Sequence, residues 1–190
     1  AIEQKVNTRN PRSTVGTSTE IYEYLRLLFA RIGKTYSPVS GKEVKKDSVT
    51  DVVDFLIKKA PGEKAMILAH VKFNDDTLER LQMRGYSRII CSNEVMRLTE
   101  IENVETLKKC NDVYLVLDRV VAKDDEDNIS RMADSVETAF FEGHGACTLM
   151  LVEQDGVKYN FSNRFELDGI TFQEPNEHFF SFNSPLGACR

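Results

Sequence analysis

The sequence predicts an α+β fold: a mixed β-sheet with flanking helices. Two observations support this. Segments with apolar residues at helical spacing alternate with short apolar runs that suit buried strands. Turn residues such as Pro61-Gly62, Ser92-Asn93 and Asp155-Gly156 separate these segments. At 190 residues the chain is long enough for one ordinary core or two small ones.

The first predicted element is a helix over residues 18–32. Its apolar side chains recur at helical spacing, and Gly33 follows as a stop signal. Residues 1–17 are predicted to be extended or loop. Residues 36–46 contain Pro38 and Gly41 and are predicted to be a linker, so a first segment is expected over residues 1–41.

The next elements begin with a helix at Ser48, a good N-cap residue with Asp51 three positions later. A buried strand is expected over residues 65–71 and a short helix over 75–84. Residues 86–91 and 94–98 are predicted to form a hairpin.

The longest β-branched run, residues 113–117, predicts a strand over 112–122. The acidic residues 124–127 precede a helix expected over 128–142. Negative charge suits a helix start, so capping is favoured over metal binding for this acidic run. A hairpin over residues 146–163 completes a domain predicted at 42–163, which is inserted between residues 1–41 and a return segment at 164–190.

Charge is unevenly distributed along the chain. The net charge is −5, but residues 1–34 carry +3 and the remaining residues −8. A polyanion is therefore expected to meet the N-terminal segment. No apolar run approaches the roughly 20 residues that span a bilayer, so no membrane segment is predicted. The start lacks signal-peptide features and an initiator Met, and we expect an excised piece of a larger chain.

The cysteines and histidines show no metal-ligand spacing. The four cysteines lie far apart, and we expect free thiols in a reducing cytosol, with Cys91 and Cys147 buried in strands. His70 follows an apolar run and is interpreted as structural.

Motifs of self-sufficient catalysis are missing from the sequence. It has no nucleotide-binding loop, no GxGxxG and no serine nucleophile elbow. A binding or docking module is therefore favoured over an autonomous enzyme. A DNA-binding domain is a further alternative, against which the net −8 of residues 35–190 argues.

The polar loop at residues 9–17 gives a modest indication of phosphate binding. Arg9 and Arg12 flank Pro11, and guanidinium groups bind phosphate through paired donors. The alternative is that Arg12 and Ser13 only cap the first helix.

Segments at the two ends of the chain resemble the UvrA family. At the N-terminal end these are residues 2–5 (IEQK), 9–17 (RNPRSTVGT) and 19–33 (TEIYEYLRLLFARIG); at the far end they are residues 180–189 (FSFNSPLGAC). Weaker matches lie between them at 85–88 (GYSR), 116–119 (VLDR) and 134–139 (DSVETA). UvrA is the damage-sensing, ABC-type ATPase of bacterial nucleotide excision repair.

The resemblance implies that this chain corresponds to part of the UvrA signature region together with the inserted domain that docks UvrB. Gln4 then matches a glutamine that couples nucleotide state to the inserted domains. The Walker lysine and catalytic glutamate of the family lie outside these residues, so no ATP hydrolysis is expected from the chain alone. ATP and Mg²⁺, double-stranded DNA, a UvrA homodimer and a cytoplasmic location are implied for the full-length protein.

The resemblance also implies binding roles for individual residues. The expected DNA contacts are Lys5, Arg9 and Arg12, which would bind phosphate groups independently of the base sequence. For UvrB, Arg88 and Arg119 are the expected ion-pair anchors, and Asp118 and Glu94 are secondary candidates.

Zinc is not expected in this chain, although many relatives carry zinc-binding cysteines. Where relatives have cysteines after the first helix, this chain has Ser37 and Ser40, and residues 165–169 contain none. Only Cys189 remains, and a structural zinc needs four good ligands. We expect phenylalanines to pack this region instead; they are Phe161, Phe165, Phe172, Phe179, Phe180 and Phe182.

Overall fold

A computed structural model describes residues 14–101, 104–110, 112–154 and 156–188. The predicted roles of Gln4, Lys5, Arg9 and Arg12 fall outside the described residues, as does Cys189. The chain divides into two compact units, Ala1–Val44 with Leu167–Arg190, and Lys45–Glu166. No helix in the described part of the chain is long and apolar enough to cross a membrane.

The helix predicted over residues 18–32 is two helices, α1 (Val15–Ser18) and α2 (Ile21–Ile32). Thr14 caps α1 through a capping box with Thr17. The break arises at Glu20, whose φ of 61° is left-handed and cannot continue a helix. Gly33 follows α2 as predicted, and its N–H donates to the Phe29 carbonyl over 2.9 Å.

The predicted linker contains a short antiparallel hairpin, β1 (Thr35–Tyr36) with β2 (Glu43–Val44). Gly41 supplies the left-handed residue of its turn, with φ 67°. The chain therefore leaves α2 through ordered structure rather than through an irregular connection.

The described residues of the Lys45–Glu166 unit form three α-helices and six strands in one sheet. In chain order these are α3 (Val49–Lys59), β3 (Lys64–His70), α4 (Asp75–Met83), β4 (Arg88–Cys91), β5 (Glu94–Arg97), β6 (Val113–Val121), α5 (Glu126–Glu142), β7 (Ala146–Leu151) and β8 (Val157–Ser162). Short 3₁₀ helices occupy Leu98–Glu100 and Val104–Lys109. A second small hairpin follows, β9 (Glu166–Leu167) with β10 (Ile170–Thr171).

The six strands form one sheet in the order β5-β4-β6-β3-β7-β8, so the predicted α+β class is confirmed. All five neighbouring pairs are antiparallel, which corrects the expected mixed sheet. The helical crossings do join parallel strands, β3 to β4 through α4 and β6 to β7 through α5. In each case an antiparallel strand lies between the two, as in a split βαβ unit.

The caps of α3 and α5 agree with the sequence-based predictions. Ser48 caps α3, and a capping box with Asp51 is present. Asp125 caps α5 by accepting a hydrogen bond from the Asn128 N–H at 3.0 Å. The capping interpretation of the acidic run is thereby confirmed.

One face of the sheet packs against the helices, and we call it the helix face. Buried residues of α3 and α5 meet Ala65, Ile67 and Leu149 there. Further along the same face, α4 and the 3₁₀ segments pack on Ala69 and Leu115. Burial of these apolar side chains is the main stabilising contribution to the unit.

Two of the cysteines are not the free thiols that the sequence predicts. Cys91 and Cys110 form a disulfide, with their Cα atoms 5.5 Å apart, so the expected free thiol at Cys91 is wrong. Nineteen positions separate the two, and the sequence contains no signal that the 3₁₀ segments would bring them together. Cys147 is a buried free thiol, as predicted, and burial, followed by the nearby Asp47 charge, raises its pKa to about 12.

The end of α5 carries a buried carboxylate. The Glu142 side chain is only 3% exposed and is paired with Arg84, which is 44% exposed. The Tyr86 hydroxyl donates to the same carboxylate oxygen, Oε1, over 3.3 Å. Burial, together with the Glu142 charge, raises the pKa of Tyr86. This ion pair links the end of α4 to the end of α5.

We predict that Arg84→Ala lowers the free energy of unfolding by about 1–3 kcal/mol, because a buried carboxylate loses its cationic partner. Urea denaturation followed by circular dichroism measures the change. Adding Glu142→Gln is expected to recover part of the loss, since a neutral amide needs no counter-charge. Arg80→Ala on the same helix removes an exposed arginine and serves as the control, with an expected effect within about 0.5 kcal/mol. Equal losses for the two arginine variants would contradict the prediction.

Candidate docking surface

The sheet face opposite α3 and α5, here called the open face, has a buried apolar centre. Its cluster consists of strand residues alone: Met66, Leu68, Ile90, Tyr114, Val116 and Met150. They are at most 8% exposed. The described helices contribute no residue to this cluster.

Basic side chains surround this centre. Strand alternation and register place five of them on the open face, namely Lys64, Arg88, Arg97, Arg119 and Lys158. Arg88 lies two positions before Ile90, and Arg119 pairs with Met66. No carboxylate occupies an open-face position within the strands β3–β8, all of which are described. The strands therefore contribute only positive side chains to this face, although the whole chain carries a net charge of −5 and Glu100, just after β5, lies 4.0 Å from Arg97.

Tyr114 lies in the middle of the open face. The Lys158 Nζ is 4.6 Å from the centre of its ring, a cation–π contact, and His70 meets the ring edge-on at 5.6 Å. Burial, followed by the Asp112 charge, raises the pKa of Tyr114. The phenol is therefore neutral at physiological pH and adds no negative charge to the face.

A β-bulge in β6 determines which neighbouring side chain reaches this face. Ile67 pairs with Asp118 while Leu68 pairs with Val116, so Leu117 is an extra residue in the ladder. Beyond the bulge, Arg119 joins the open face and Asp118 turns to the helix face. Arg88 and Arg119 thus share one face, with their Cα atoms roughly 10 Å apart by strand geometry.

The two secondary candidates lie elsewhere. Arg131 of α5 donates to both carboxylate oxygens of Asp118, at 2.8 and 2.7 Å, and Ser135 donates to it at 3.2 Å. Burial alone would raise the pKa of Asp118, but the hydrogen bonds from Arg131 and the Arg119 backbone N–H outweigh it, so the pKa is lowered. Glu94 pairs with Cys91, which points to the helix face. The structure brings Arg88 and Arg119 together, and it separates them from Asp118 and Glu94.

Sequence reasoning missed three of the five basic residues, Lys64, Arg97 and Lys158. Each alternates with an apolar or small residue in its own strand, which is a visible signal. Assigning them to one face requires the strand order, which the sequence did not supply.

The residues at the sites of the missing cysteines do not fit zinc. Ser37, Ser40 and Asp168 lie together, and Asp168 is the only usual zinc ligand among them. The described residues contain no group of three or more His, Cys, Asp or Glu side chains able to hold a metal ion.

The six phenylalanines divide between the two units, with Phe161 and Phe165 in Lys45–Glu166 and the other four in the unit of the chain ends. Phe161 packs against Phe55 in the Lys45–Glu166 unit, with ring centres 5.2 Å apart. In the other unit, Phe180 lies against Phe29 of α2, and Phe182 stacks on Tyr22 at 5.4 Å.

We predict that Asp118→Asn lowers the free energy of unfolding by about 1 kcal/mol at pH 7, because a bidentate pair with Arg131 is lost. A lowered pKa in the folded state means that the stabilisation is present at neutral pH. It is lost as the pH falls from the ordinary value of 3.8 through the lower folded-state value. Urea denaturation at pH 7 and pH 3 measures this, and the difference between the two proteins should narrow at the lower pH. Asp54→Asn, which removes an exposed pair with Lys58, is the control and should change stability little at either pH. A gap that stays constant between the two pH values would count against the ion pair.

Comparison with known proteins gives a family match that falls within the Lys45–Glu166 unit. A family model described as the UvrA interaction domain matches residues 47–153. The chain is 39% identical to UvrABC system protein A of Methanothermobacter thermautotrophicus over 197 residues, and 38% identical to that of Oceanobacillus iheyensis over 198. The protein of the same name from Thermus thermophilus is 37% identical over 197.

Each alignment covers all of this chain and 20% of the relative, so the chain spans about a fifth of the length of these proteins. The resemblance to UvrA noted from the sequence is confirmed. Since the family model matches more than half of the residues, the chain belongs to the UvrA interaction domain family.

Proposed function

We propose that this chain is a module of a UvrA protein that docks UvrB during nucleotide excision repair. The observation that carries the proposal is the open face, where Arg88 and Arg119 stand on one side of a sheet with three further basic residues and no strand carboxylate. Residues 42–163 would form the inserted docking domain. Residues 1–41 and 164–190 would belong to the signature region of the ATPase.

The chemistry of this face suits a partner that presents carboxylates. Arginine binds a carboxylate through two parallel hydrogen bonds, which fixes orientation as well as adding energy. Among the described residues, neither the Arg88 nor the Arg119 side chain is engaged in an ion pair, so both are available to a partner. By contrast, Asp118 is already held by Arg131, which makes it a supporting residue in this proposal.

The nearly buried apolar centre has a second role in the proposal. Its side chains are already covered, so docking removes little apolar surface from water and depends mainly on charged contacts. Polar interfaces of this kind suit complexes that must also separate. Release of UvrB after damage recognition would need such reversibility.

The remaining functions belong to the full-length protein in this proposal. ATP and Mg²⁺ would bind outside this chain, which would not hydrolyse ATP alone, and Gln4 would couple nucleotide state to the docking domain. Lys5, Arg9 and Arg12 would contact double-stranded DNA, and two UvrA copies would assemble as a homodimer in the cytoplasm.

A DNA-binding function for the open face is the second candidate, and one observation favours it. Five basic side chains around an aromatic ring also suit a phosphate backbone. The net negative charge of the chain argues against it. An autonomous enzyme has no comparable support.

We predict that Arg88→Ala with Arg119→Ala weakens UvrB binding about tenfold or more, because two charged contacts are truncated. Isothermal titration calorimetry with UvrB, and a parallel titration with duplex DNA, measures the change. Arg80→Ala removes the same charge from α4, on the other side of the sheet, and should leave the dissociation constant unchanged.

The comparison of partners separates the two candidates. If the double variant loses DNA affinity and keeps UvrB affinity, the face binds nucleic acid. If UvrB binding is absent from the wild type, or survives the double substitution unchanged, the docking assignment fails.

We also predict that UvrB affinity falls as salt rises from 50 to 500 mM, since exposed charges are screened beyond a Debye length of about 10 Å at 0.1 M. The loss should lie mainly in the association rate, and surface plasmon resonance resolves it. Charge reversal by Arg88→Glu should flatten this salt dependence, with Arg80→Glu as its matched control. An affinity independent of salt would argue for an apolar interface elsewhere on the chain.

A further inference from the structure

Two short hairpins meet in the unit formed by the two ends of the chain. The β1–β2 hairpin turns through residues 37–42, and the β9–β10 hairpin turns through Asp168 and Gly169. Left-handed backbone occurs at Gly41, Asp168 and Gly169, with φ of 67°, 55° and 75°. Both turns are thus tight, with a left-handed glycine at the end of each polar motif.

The side chains of the two turns converge on a single atom. The hydroxyls of Ser37 and Ser40 both donate to Oδ2 of Asp168, and the Ser40 contact measures 2.5 Å. The same hydroxyl oxygens accept backbone hydrogen bonds, Ser37 from the Val39 N–H at 3.2 Å and Ser40 from the Lys42 N–H at 3.4 Å. Each serine therefore both donates and accepts.

Burial differs among the three residues: Ser40 and Asp168 are exposed, whereas Ser37 is buried. Ser37 is only 2% exposed, although it lies in a turn. Its hydroxyl is satisfied by Asp168 and Val39, so the buried polar group carries no penalty. The hydrogen bonds from both serines hold the pKa of Asp168 below its ordinary value, which keeps the carboxylate charged. Charge-assisted hydrogen bonds are about twice as strong as neutral ones.

The spacing is that of a metal-binding turn with the ligands replaced. Ser37-Pro-Val-Ser40-Gly41 has the two-residue gap that separates cysteine ligands in structural zinc sites. Two side chains of one turn point at the same atom, as two ligands of one metal ion must point at that ion. Here a carboxylate oxygen occupies the point of convergence, and serine hydroxyls are not among the ligands that hold structural zinc.

We propose that Ser37, Ser40 and Asp168 form a metal-independent clip, in which the Asp168 carboxylate takes the central position of a zinc ion and hydrogen bonds replace coordinate bonds. The clip joins the segment that precedes Lys45 to the segment that follows Glu166. It therefore holds together the two chain segments between which the larger unit is inserted.

Hydrogen exchange and metal analysis test the clip. The wild-type protein should contain far less than one zinc per chain, and EDTA should leave its melting temperature unchanged. Asp168→Ala should increase exchange of the Val39 and Lys42 amides about tenfold, because their acceptors lose their anchor. Asp124→Ala, which removes an exposed carboxylate outside the clip, is the control and should leave both amides unchanged. Ser40→Ala removes the acceptor of the Lys42 N–H itself, so it should increase Lys42 exchange at least as much while affecting Val39 less. It provides a second variant if Asp168→Ala folds poorly.

A gain-of-binding variant tests the geometry independently. Ser37→Cys, Ser40→Cys and Asp168→Cys together should bind one zinc or cobalt ion, with water as the fourth ligand and thiolate-to-cobalt absorption as the readout. Stoichiometric zinc in the wild type, or a melting temperature lowered by EDTA, would overturn the metal-independent clip. Failure of the folded triple-cysteine variant to bind either metal would overturn the proposed convergence.

Discussion

One extra residue in β6, Leu117, determines which charges the sheet presents. In a regular strand Arg119 would point with Leu115 toward the helices, and Asp118 would point to the open face. The bulge reverses both. Asp118 then reaches Arg131 of α5, and Arg119 joins Arg88 on the opposite side. The bulge therefore adds Arg119 to the open face and keeps Asp118 off it, while the other four basic residues lie on other strands.

The bulge and α5 support each other. A half-buried aspartate would be costly without a partner, and Arg131 and Ser135 supply hydrogen bonds at the position to which the bulge directs it. The same contacts hold α5 against β6, so the helix that covers one face also fixes the orientation of side chains on the other. The Asp118 carboxylate is thereby used in an internal contact, and the Arg88 and Arg119 guanidinium groups are left for external contacts.

Local chemistry made most elements predictable from the sequence, because caps and turns act over three or four residues. Ser48 with Asp51, the Ser92-Asn93 turn and Asp125 all follow such short-range rules. Features that depend on distant contacts were not predictable. The strand order is needed first for three such features. They are the bulge at Leu117, the antiparallel strand that lies between each pair of parallel strands, and the Cys91–Cys110 bridge. Of the candidate site, the sequence resemblance supplied Arg88 and Arg119, while the shared face and its other basic residues came only with the register.

The position of β3 has a consequence for how the chain is made. This central strand bonds to β6 on one side and β7 on the other, so Lys64 meets Val121 and Ala65 meets Leu151. Both partners leave the ribosome well after β3 does. Until they emerge, a strand with five consecutive buried residues has no sheet to join. Such long-range pairing slows folding and prolongs exposure of apolar side chains, so nascent chains of this domain should depend on chaperones that bind apolar segments.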